Sequence, residues 1–532
     1  MSMRRPCLLL ICFLAATAAA VPAVGQSQAK EKRAGPLPIP SLQIPFGEKF
    51  IGSAATAKPL ESKIKGSPQA FNMHQDGGNT GTIDYPAPLG RNLELKTGIQ
   101  SLHILMWTRS GQLVAGYTKI GLSGLQWGLA AVDDETLELQ AEWYPEREGQ
   151  TLNVAYMELL LDTDEIVVTS KEGQIYVVQL TTEGGINLDL TRMENLTSVL
   201  GPGELLMNAM YDTQKNLWFS SGGLRAQGGH GDAEQNSSTF GYIEPDGTVH
   251  VQHFQDQMVE NGIGLNGTTV FALTGPSGAA ANGSRADGYF YAFGPGPGTS
   301  ITTLWSVAYD AGDTQKPGSY SRGSGATPAL LGDQYVAITD NANGQVNLVI
   351  YHQTKQTDSP QTVCQVPVFP EGKSNIDIAP LAHKQGDKYG VFLCNDYNAP
   401  PLYYLDTGLN GDWNNLTQME PGVIRIDVAA DGSGCEVAWE VPDLRIQSVP
   451  VISTNNGLVY GYTQAVGPTK YGKWTWYVVA LDWETGEEVW RLRTGAGGTY
   501  NDDYQPGAIG PDGGFYQGVI GGIIKVTDGP DE

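Results

Sequence analysis

Residues 477–490 (YVVALDWETGEEVW) constrain the fold of this chain more than any other stretch. An alternating apolar segment is followed by a tight turn at 484–486, and a second segment ends in Trp490. A strand, an acidic or glycine turn and a second strand form half of a four-stranded propeller blade. Related units lie at 129–143, 175–190, 240–254, 289–305 and 423–439. Their spacing of about fifty to sixty-five residues predicts an all-β chain folded as a β-propeller.

Composition supports this prediction. The chain has 68 Gly and 31 Pro in 532 residues, and 17% of its residues are charged. No long stretch has a 3.6-residue apolar period, which disfavours a helical protein. Closed β architectures grow as single domains by adding blades, so we expect one large domain from residue 71 to residue 532.

The two ends of the chain are predicted to close the ring. Seven internal blades are centred near 115, 170, 225, 280, 340, 405 and 470. The C-terminal stretch 502–529 lacks an outer strand, and the segment 92–98 (NLELKTG) is a strand without a blade. Pairing the two gives eight antiparallel blades and leaves no open edge. Seven blades is the alternative if the region 376–440 is miscounted.

The N-terminus has the pattern of an export signal. Arg4 and Arg5 precede an apolar run from Leu8 to Ala20, and small residues lead to a cleavage site before Gln26. We therefore expect residues 1–25 to be a signal peptide and the protein to be secreted or periplasmic. Residues 26–70 are rich in Pro, Lys and Ser, which predicts a flexible or surface-lying arm.

Export makes a disulfide plausible, because three cysteines follow the signal. Cys364 and Cys394 lie in neighbouring predicted blades and are the preferred pair, which leaves Cys435 as a free thiol. Three buried thiols are the alternative.

The formal net charge of −25 restricts the partners. It repels nucleic acid and anionic membranes, and no other segment is long enough to insert into a membrane. It is compatible with small polar or saccharide-like molecules, with cations and with a protein partner.

One blade carries a resemblance to a known family. Residues 480–490 match the A-x-D-x-x-T-G-x-x-x-W motif of the quinoprotein alcohol dehydrogenase-like propellers, which are built from PQQ-like repeats. Residues 73–81 (MHQDGGNTG) resemble the segment that precedes the first blade in non-enzymatic members. The resemblance implies an eight-bladed propeller but not, by itself, the quinone cofactor. Within the motif, we expect Asp482 to cap the turn and Trp490 to pack in the core.

The candidate ligand site is the mouth of the central channel. The connections between blades and the long middle connections within blades share one face, and the inner strands begin there. Ordered water between inner strands is the alternative to a ligand. The polar residues near these strand starts are Glu158, Asn208, Glu260, Asn261, Asn375, Asp377, Arg445, Gln447, Asp503 and Gln505.

Two further predictions concern chemistry at this face. Glu260, Asn261 and Asp340 offer the hard oxygen ligands that calcium prefers, although such residues are also ordinary turn formers. The loop 224–238 brings Arg225, His230 and Asp232 together, as a general base with an oxyanion partner requires. A mobile glycine-rich surface loop is the alternative.

Three functions follow from these residues. The first is an exported propeller that binds, and could also transform, a small polar or saccharide-like ligand. The second is a dehydrogenase using calcium and pyrroloquinoline quinone, which is disfavoured because no two cysteines are adjacent. The third is a non-catalytic scaffold in an exported assembly. Whether the protein is an enzyme stays undecided, calcium stays open, and no cofactor is required.

Overall fold

The computed structural model describes residues 44–530 except 67, 122–123, 148, 223–236, 278–285, 401–409, 466 and 468–473. These residues form an eight-bladed β-propeller of antiparallel blades, as predicted, and the alternative of seven blades is wrong. Short 3₁₀ turns occur at Asp412–Asn414, Leu416–Gln418 and Gly498–Tyr500. In this part of the chain no helix is long and apolar enough to cross a membrane.

Four short strands precede the first blade: β1 (Phe50–Gly52), β2 (Ala70–Phe71), β3 (Thr82–Ile83) and β4 (Glu94–Gly98). From the axis outward, blade 1 contains β5 (Leu102–Trp107), β6 (Leu113–Gly121), β7 (Gly124–Val132) and β8 (Leu139–Trp143). Blade 2 contains β9 (Leu152–Leu160), β10 (Glu165–Ser170), β11 (Gln174–Thr181) and β12 (Asn187–Asn195). Blade 3 contains β13 (Leu205–Tyr211), β14 (Leu217–Gly222), β15 (Ser237–Ile243) and β16 (Val249–Gln255). The inner strand of blade 4 is divided into β17 (Gln257–Met258) and β18 (Gly264–Asn266), followed by β19 (Thr269–Pro276), β20 (Asp287–Pro295) and β21 (Ile301–Asp310).

The remaining blades have the same order from the axis outward. Blade 5 contains β22 (Ala329–Leu331), β23 (Tyr335–Thr339), β24 (Asn347–His352) and β25 (Thr362–Pro367). Blade 6 contains β26 (Leu381–Gln385), β27 (Lys388–Cys394), β28 (Val423–Ala429) and β29 (Cys435–Val441). Blade 7 contains β30 (Val451–Ser453), β31 (Leu458–Gln464), β32 (Thr475–Asp482) and β33 (Glu488–Ala496). Blade 8 contains β34 (Gly507–Ile509), β35 (Phe515–Val519) and β36 (Gly522–Thr527).

The N-terminal strand β4 completes blade 8, which confirms the predicted closure. It pairs antiparallel with β36, from Gly98 opposite Ile523 to Glu94 opposite Thr527. The pairing covers the outer edge of β36, so the ring closes on strands from both ends of the chain.

Residues 46–60 lie along blade 7, and Glu61 then reaches Gln385 of blade 6. Strand β1 pairs with β33 on the outer edge of this blade, with Ile51 opposite Arg491. Lys58 forms an ion pair of 2.6 Å with Asp482. Asp482 also accepts the backbone N–H groups of its own turn at 3.0 Å, as expected for a turn cap.

Residues 72–81, here called the axial loop, run across the channel from blade 2 to blade 7. Strand β2 pairs with the inner strand β9, and β3 pairs with the inner strand β30. Between them, four axial-loop carbonyls accept backbone N–H groups from blades 4, 5, 6 and 7 at 2.8–2.9 Å. These bonds are Leu265 to Gly77, Leu330 to Gly78, Ala382 to Thr80 and Ile452 to Gly81.

The axial loop packs closely against the inner strands, and its residues 74–79 are buried there. Gly81 has a φ of 65°, and a Cβ atom there would lie 2.1 Å from Leu381 Cδ2. The loop can approach the inner strands this closely because it is rich in glycine. The resemblance of 73–81 to a segment before the first blade did not predict these contacts with blades 4 to 7.

The predicted disulfide between Cys364 and Cys394 is wrong. The structure joins Cys364 to Cys435, whose Cα atoms are 6.3 Å apart. Both lie on outermost strands, β25 of blade 5 and β29 of blade 6. Cys394 ends the second strand of blade 6 and is buried as a free thiol among the apolar residues between blades 6 and 7. Outer strands meet at the rim, whereas Cys394 faces the interior.

Candidate polar site at the channel mouth

The inner strands of blades 1 to 4 are all irregular where they approach the mouth. Their pairing shifts between His103 and Leu105, between Asn153 and Glu158, and between Leu206 and Asn208. In blade 4 the inner strand is interrupted, and residues 259–263 separate β17 from β18. Such bulges redirect side chains, and here they turn polar groups towards the axis.

Blades 5 to 8 supply the other half of the mouth through connections rather than bulges. Their inner strands are preceded by residues 311–328, 368–380, 442–450 and 497–506, which contain little regular structure. We call the polar residues that meet here the mouth cluster. Its members are Tyr156, Glu260, Asn261, Tyr320, Asp377, Asp396, Asp502 and Tyr504.

Glu260 and Asn261 come from the interruption in blade 4. The Tyr156 hydroxyl donates to Asn261 Oδ1 at 2.7 Å, and Asn261 Nδ2 donates to the carbonyl of Gly325. Glu260 is 6% exposed and faces the carboxyl of Asp377. Burial raises the pKa of Glu260 to about 8, so this side chain holds its proton at neutral pH.

Asp377 links Glu260 to a further buried acid. Asp377 Oδ2 accepts the N–H of Tyr320 at 2.9 Å, and the N–H of Asp377 donates to Asp396 Oδ2 at 2.9 Å. Burial, followed by the charge of Glu260, raises the pKa of Asp377 well above its usual range. Burial is also the main cause of the raised pKa of Asp396. These acids therefore favour their neutral forms unless a positive group joins them.

Asp502 and Tyr504 come from the connection between blades 7 and 8. Asp502 is fully buried, and burial raises its pKa to about 7. The Tyr504 hydroxyl donates to the carbonyl of Pro400 at 3.3 Å. Burial raises the pKa of Tyr504, and the nearby charges of Asp396, Asp377 and Asp502 raise it further. Carboxyls from separate connections thus converge around one hydroxyl.

Several buried polar atoms around the mouth have no hydrogen-bond partner among the described residues. Native proteins leave few such atoms, and water or a ligand usually satisfies those that occur. Acceptors outnumber donors in this set. It contains Asp377 Oδ1, Asp396 Oδ1, both Oδ atoms of Asp502, Gln447 Oε1, Gln505 Oε1, Asn375 Nδ2 and the hydroxyls of Ser448 and Thr499.

The other predicted mouth residues lie beside the cluster. Asn208 Nδ2 donates to the carbonyl of Asn261 at 3.1 Å, and Ser319 donates to Asn375 Oδ1 at 2.8 Å. Gln505 Nε2 donates to His103 Nδ1 at 2.8 Å. The positions of two more residues are defined by backbone contacts: Gln447 Nε2 donates to Pro400 O at 3.5 Å, and Arg445 Nε donates to Met419 O at 2.6 Å. Asp503 adjoins Asp502, and its N–H donates to Asn501 Oδ1 at 2.8 Å.

Two predicted residues lie elsewhere. Glu158 is near the end of β9, where it accepts the N–H of Tyr211 at 2.9 Å, because the bulge after Asn153 displaces it from the strand start. Asp340 Oδ1 accepts the N–H groups of Ala342 and Asn347, at 3.2 and 2.7 Å. Its oxygens therefore stabilise its own hairpin, as the turn alternative predicted, rather than forming a site with Glu260 and Asn261.

Three other predicted residues, Arg225, His230 and Asp232, lie outside the described residues. Asp396 and Asp502 were missed by sequence reasoning. Each follows an asparagine, in the pairs 395–396 and 501–502, and this repetition is a signal that could have identified them.

The donor set does not fit pyrroloquinoline quinone. This cofactor carries several carboxylates, and the described part of the mouth already contains buried carboxyls. The basic side chains of the connections bond to carbonyls instead: Lys316 to Ala342 at 2.7 Å and Arg322 to Gly312 at 3.1 Å. Within the described ranges, no group of three or more His, Cys, Asp and Glu side chains is arranged to hold a metal ion.

Comparison with known proteins supports the fold. No family model matches the chain. An uncharacterized protein of Archaeoglobus fulgidus is 24% identical over 253 residues, which is 43% of this chain and 47% of that protein. The chain thus matches about half the length of this relative.

Two solved quinohemoprotein alcohol dehydrogenases resemble the structure. The enzyme of Comamonas testosteroni gives a TM-score of 0.52 at 10% identity, covering 87% of this chain and 81% of that one. The enzyme of Pseudomonas putida HK5 gives 0.47 at 10% identity, covering 88% and 81%. The likeness to the Comamonas testosteroni enzyme supports the propeller fold, and it concerns the fold alone.

Proposed function

We propose that this protein is an exported propeller that binds a small polar molecule at the channel mouth. The observation behind the proposal is the set of buried polar atoms without partners among the described residues, contributed by three connections between blades and by Asp396, which follows β27 within blade 6. Leaving such atoms unsatisfied costs about 1–3 kcal/mol each, so a ligand that bonds to them gains that free energy on binding. The half-buried rings of Tyr156, Tyr320 and Tyr504 border the buried carboxyls and supply apolar contact.

Access supports binding from one side. The axial loop crosses the channel below the mouth, so a ligand would enter and leave through the face where the inner strands begin. The described part of the connection within blade 6 also reaches this face, where Asp396 accepts the N–H of Asp377. Binding groups commonly lie on such connections around a rigid ring.

A thermal-shift screen of polar small molecules tests the proposal. A ligand that binds only the folded state raises the melting temperature by mass action. We expect at least one compound to stabilise the parent protein and to lose that effect in the Glu260→Gln variant. Compounds that stabilise both proteins equally would place the binding site outside the mouth.

Export has a separate test. The signal at residues 1–25 predicts that the mature protein begins at Gln26. N-terminal sequencing of protein recovered outside the cytoplasm of a producing host should give that residue. Recovery of the uncleaved chain from the cytoplasm would contradict this part of the proposal.

A further inference from the structure

The charges of the mouth cluster are of one sign. Glu260, Asp377, Asp396 and Asp502 are each at least nine-tenths buried. None of the ion pairs formed between described residues includes any of them. Buried carboxyls are normally paired with a cation or hydrogen-bonded on all their oxygens, so this arrangement lacks a positive partner.

The basic residues of the surrounding connections do not supply that partner. Lys316 donates to the carbonyl of Ala342 at 2.7 Å, and Arg445 Nε donates to the carbonyl of Met419 at 2.6 Å. Lys316 is thus held by the turn between β23 and β24, and Arg445 by the connection between β27 and β28. The positive charge that matches the four carboxyls would therefore come from outside the described chain.

The unpartnered atoms indicate the same ligand chemistry. Asp502 is fully buried with both carboxyl oxygens unpartnered, and Asp377 and Asp396 each have one unpartnered oxygen. All three carboxyls approach the Tyr504 hydroxyl. The Tyr504 ring also meets the Tyr320 ring edge-on, with centroids 5.5 Å apart. Carboxylate acceptors beside aromatic rings are groups that bind organic cations.

We propose that the mouth cluster binds an organic cation with N–H donors, an ammonium or guanidinium group. This proposal rests on the proposed function and specifies its ligand class. A neutral polyol would leave the four buried carboxyls in their neutral forms, whereas a bound cation would stabilise their charged forms. A metal ion is less well matched, because no group of three or more His, Cys, Asp and Glu side chains among the described residues is arranged to hold one.

Titration calorimetry with three probes tests the ligand class. Agmatine carries ammonium and guanidinium donors, tetramethylammonium carries charge without N–H donors, and glucose is a neutral polyol. We expect agmatine to bind the full-length protein more tightly than either of the other probes. Glu260→Gln and Asp502→Asn should each weaken agmatine binding about tenfold or more, because each removes a carboxyl that the bound cation would hold in its charged form. Asp189→Asn, which removes one exposed charge from the outer strand β12, should leave binding unchanged.

The outcomes separate this proposal from the broader one. Tighter binding of glucose than of agmatine, lost in Glu260→Gln, would overturn the cation and retain the mouth as the site. If Asp189→Asn weakened agmatine binding as much as the mouth substitutions do, the effect would be one of general charge, and the cation site would be overturned. Two outcomes would count against both proposals. One is binding of agmatine or glucose that survives both mouth substitutions, and the other is no binding of any of the three probes. Melting curves of each variant establish that loss of binding is not loss of folding.

Discussion

The carboxyl of Glu260 lies against that of Asp377, although most of blade 4 and all of blade 5 separate them in the chain. One comes from an interrupted inner strand and the other from a connection between blades. Only closure of the ring brings the two together, and this relationship makes the channel mouth acidic.

The pH dependence of stability should report this buried acid. Glu260 faces Asp377, the backbone of Ser321 and the hydroxyls of Tyr156 and Tyr309. Its pKa rises from 4.5 to about 8 on folding, so between these values the folded chain binds more protons than the unfolded chain. The free energy of unfolding should therefore fall as pH rises through this window.

Removing the acid should reduce that fall. The Glu260→Gln variant should lose less stability between pH 5 and pH 8 and should exceed the parent by about 1–3 kcal/mol at pH 8. Urea unfolding at the two pH values measures the difference. Parallel pH profiles for parent and variant would show that Glu260 is not buried in this way.

The axial loop should tolerate no side chain at Gly81. Gly81→Ala places a methyl group 2.1 Å from Leu381 Cδ2 at a positive φ, so we expect a loss of about 1–3 kcal/mol. Gly267 has a similar φ of 62°, and a Cβ atom added there would meet nothing within 4 Å, so Gly267→Ala costs only the backbone strain. Equal unfolding free energies for the two variants would mean that the loop is not packed against β26.

The disulfide between blades 5 and 6 should stabilise the rim. Cys364 and Cys435 are 71 residues apart, and a link of that span contributes about 2–4 kcal/mol. Replacing Cys364 or Cys435 with serine should lower the free energy of unfolding by this amount. In the Cys394→Ser variant, non-reducing mass spectrometry should still detect the peptide pair linked through Cys364 and Cys435. A linked peptide containing Cys394 would contradict the assignment.

Deleting residues 92–98 should destabilise the whole ring. The deletion removes β4 and exposes the edge of β36. Calorimetry should show a lower melting temperature for the entire transition. An unchanged melting curve would mean that the ring does not depend on this strand.

The sequence predicted the ring well because blades repeat a local pattern. The repeated strand-turn-strand units indicated seven internal blades, and the unpaired segment 92–98 indicated an eighth blade and its closure. The axial loop was not predictable in the same way, because its contacts join Gly81 to Ile452 and Gly77 to Leu265. Such pairings leave no periodic signal in the sequence.

The sequence could place candidate residues near the strand starts but could not give the orientation of their side chains. In irregular connections side chains do not alternate, and Asp503 and Tyr504 have φ values of 53° and 60°. The fully buried acid is therefore Asp502 rather than Asp503. Glu158 was misplaced for a related reason, because a bulge in β9 moves it away from the strand start.

A crystal structure of the protein grown with a ligand from the thermal-shift screen would locate the binding site. We expect electron density above the axial loop, within hydrogen-bonding distance of Glu260, Asp377 or Asp502. Density on the outer rim of the blades, with the mouth unchanged, would contradict this expectation.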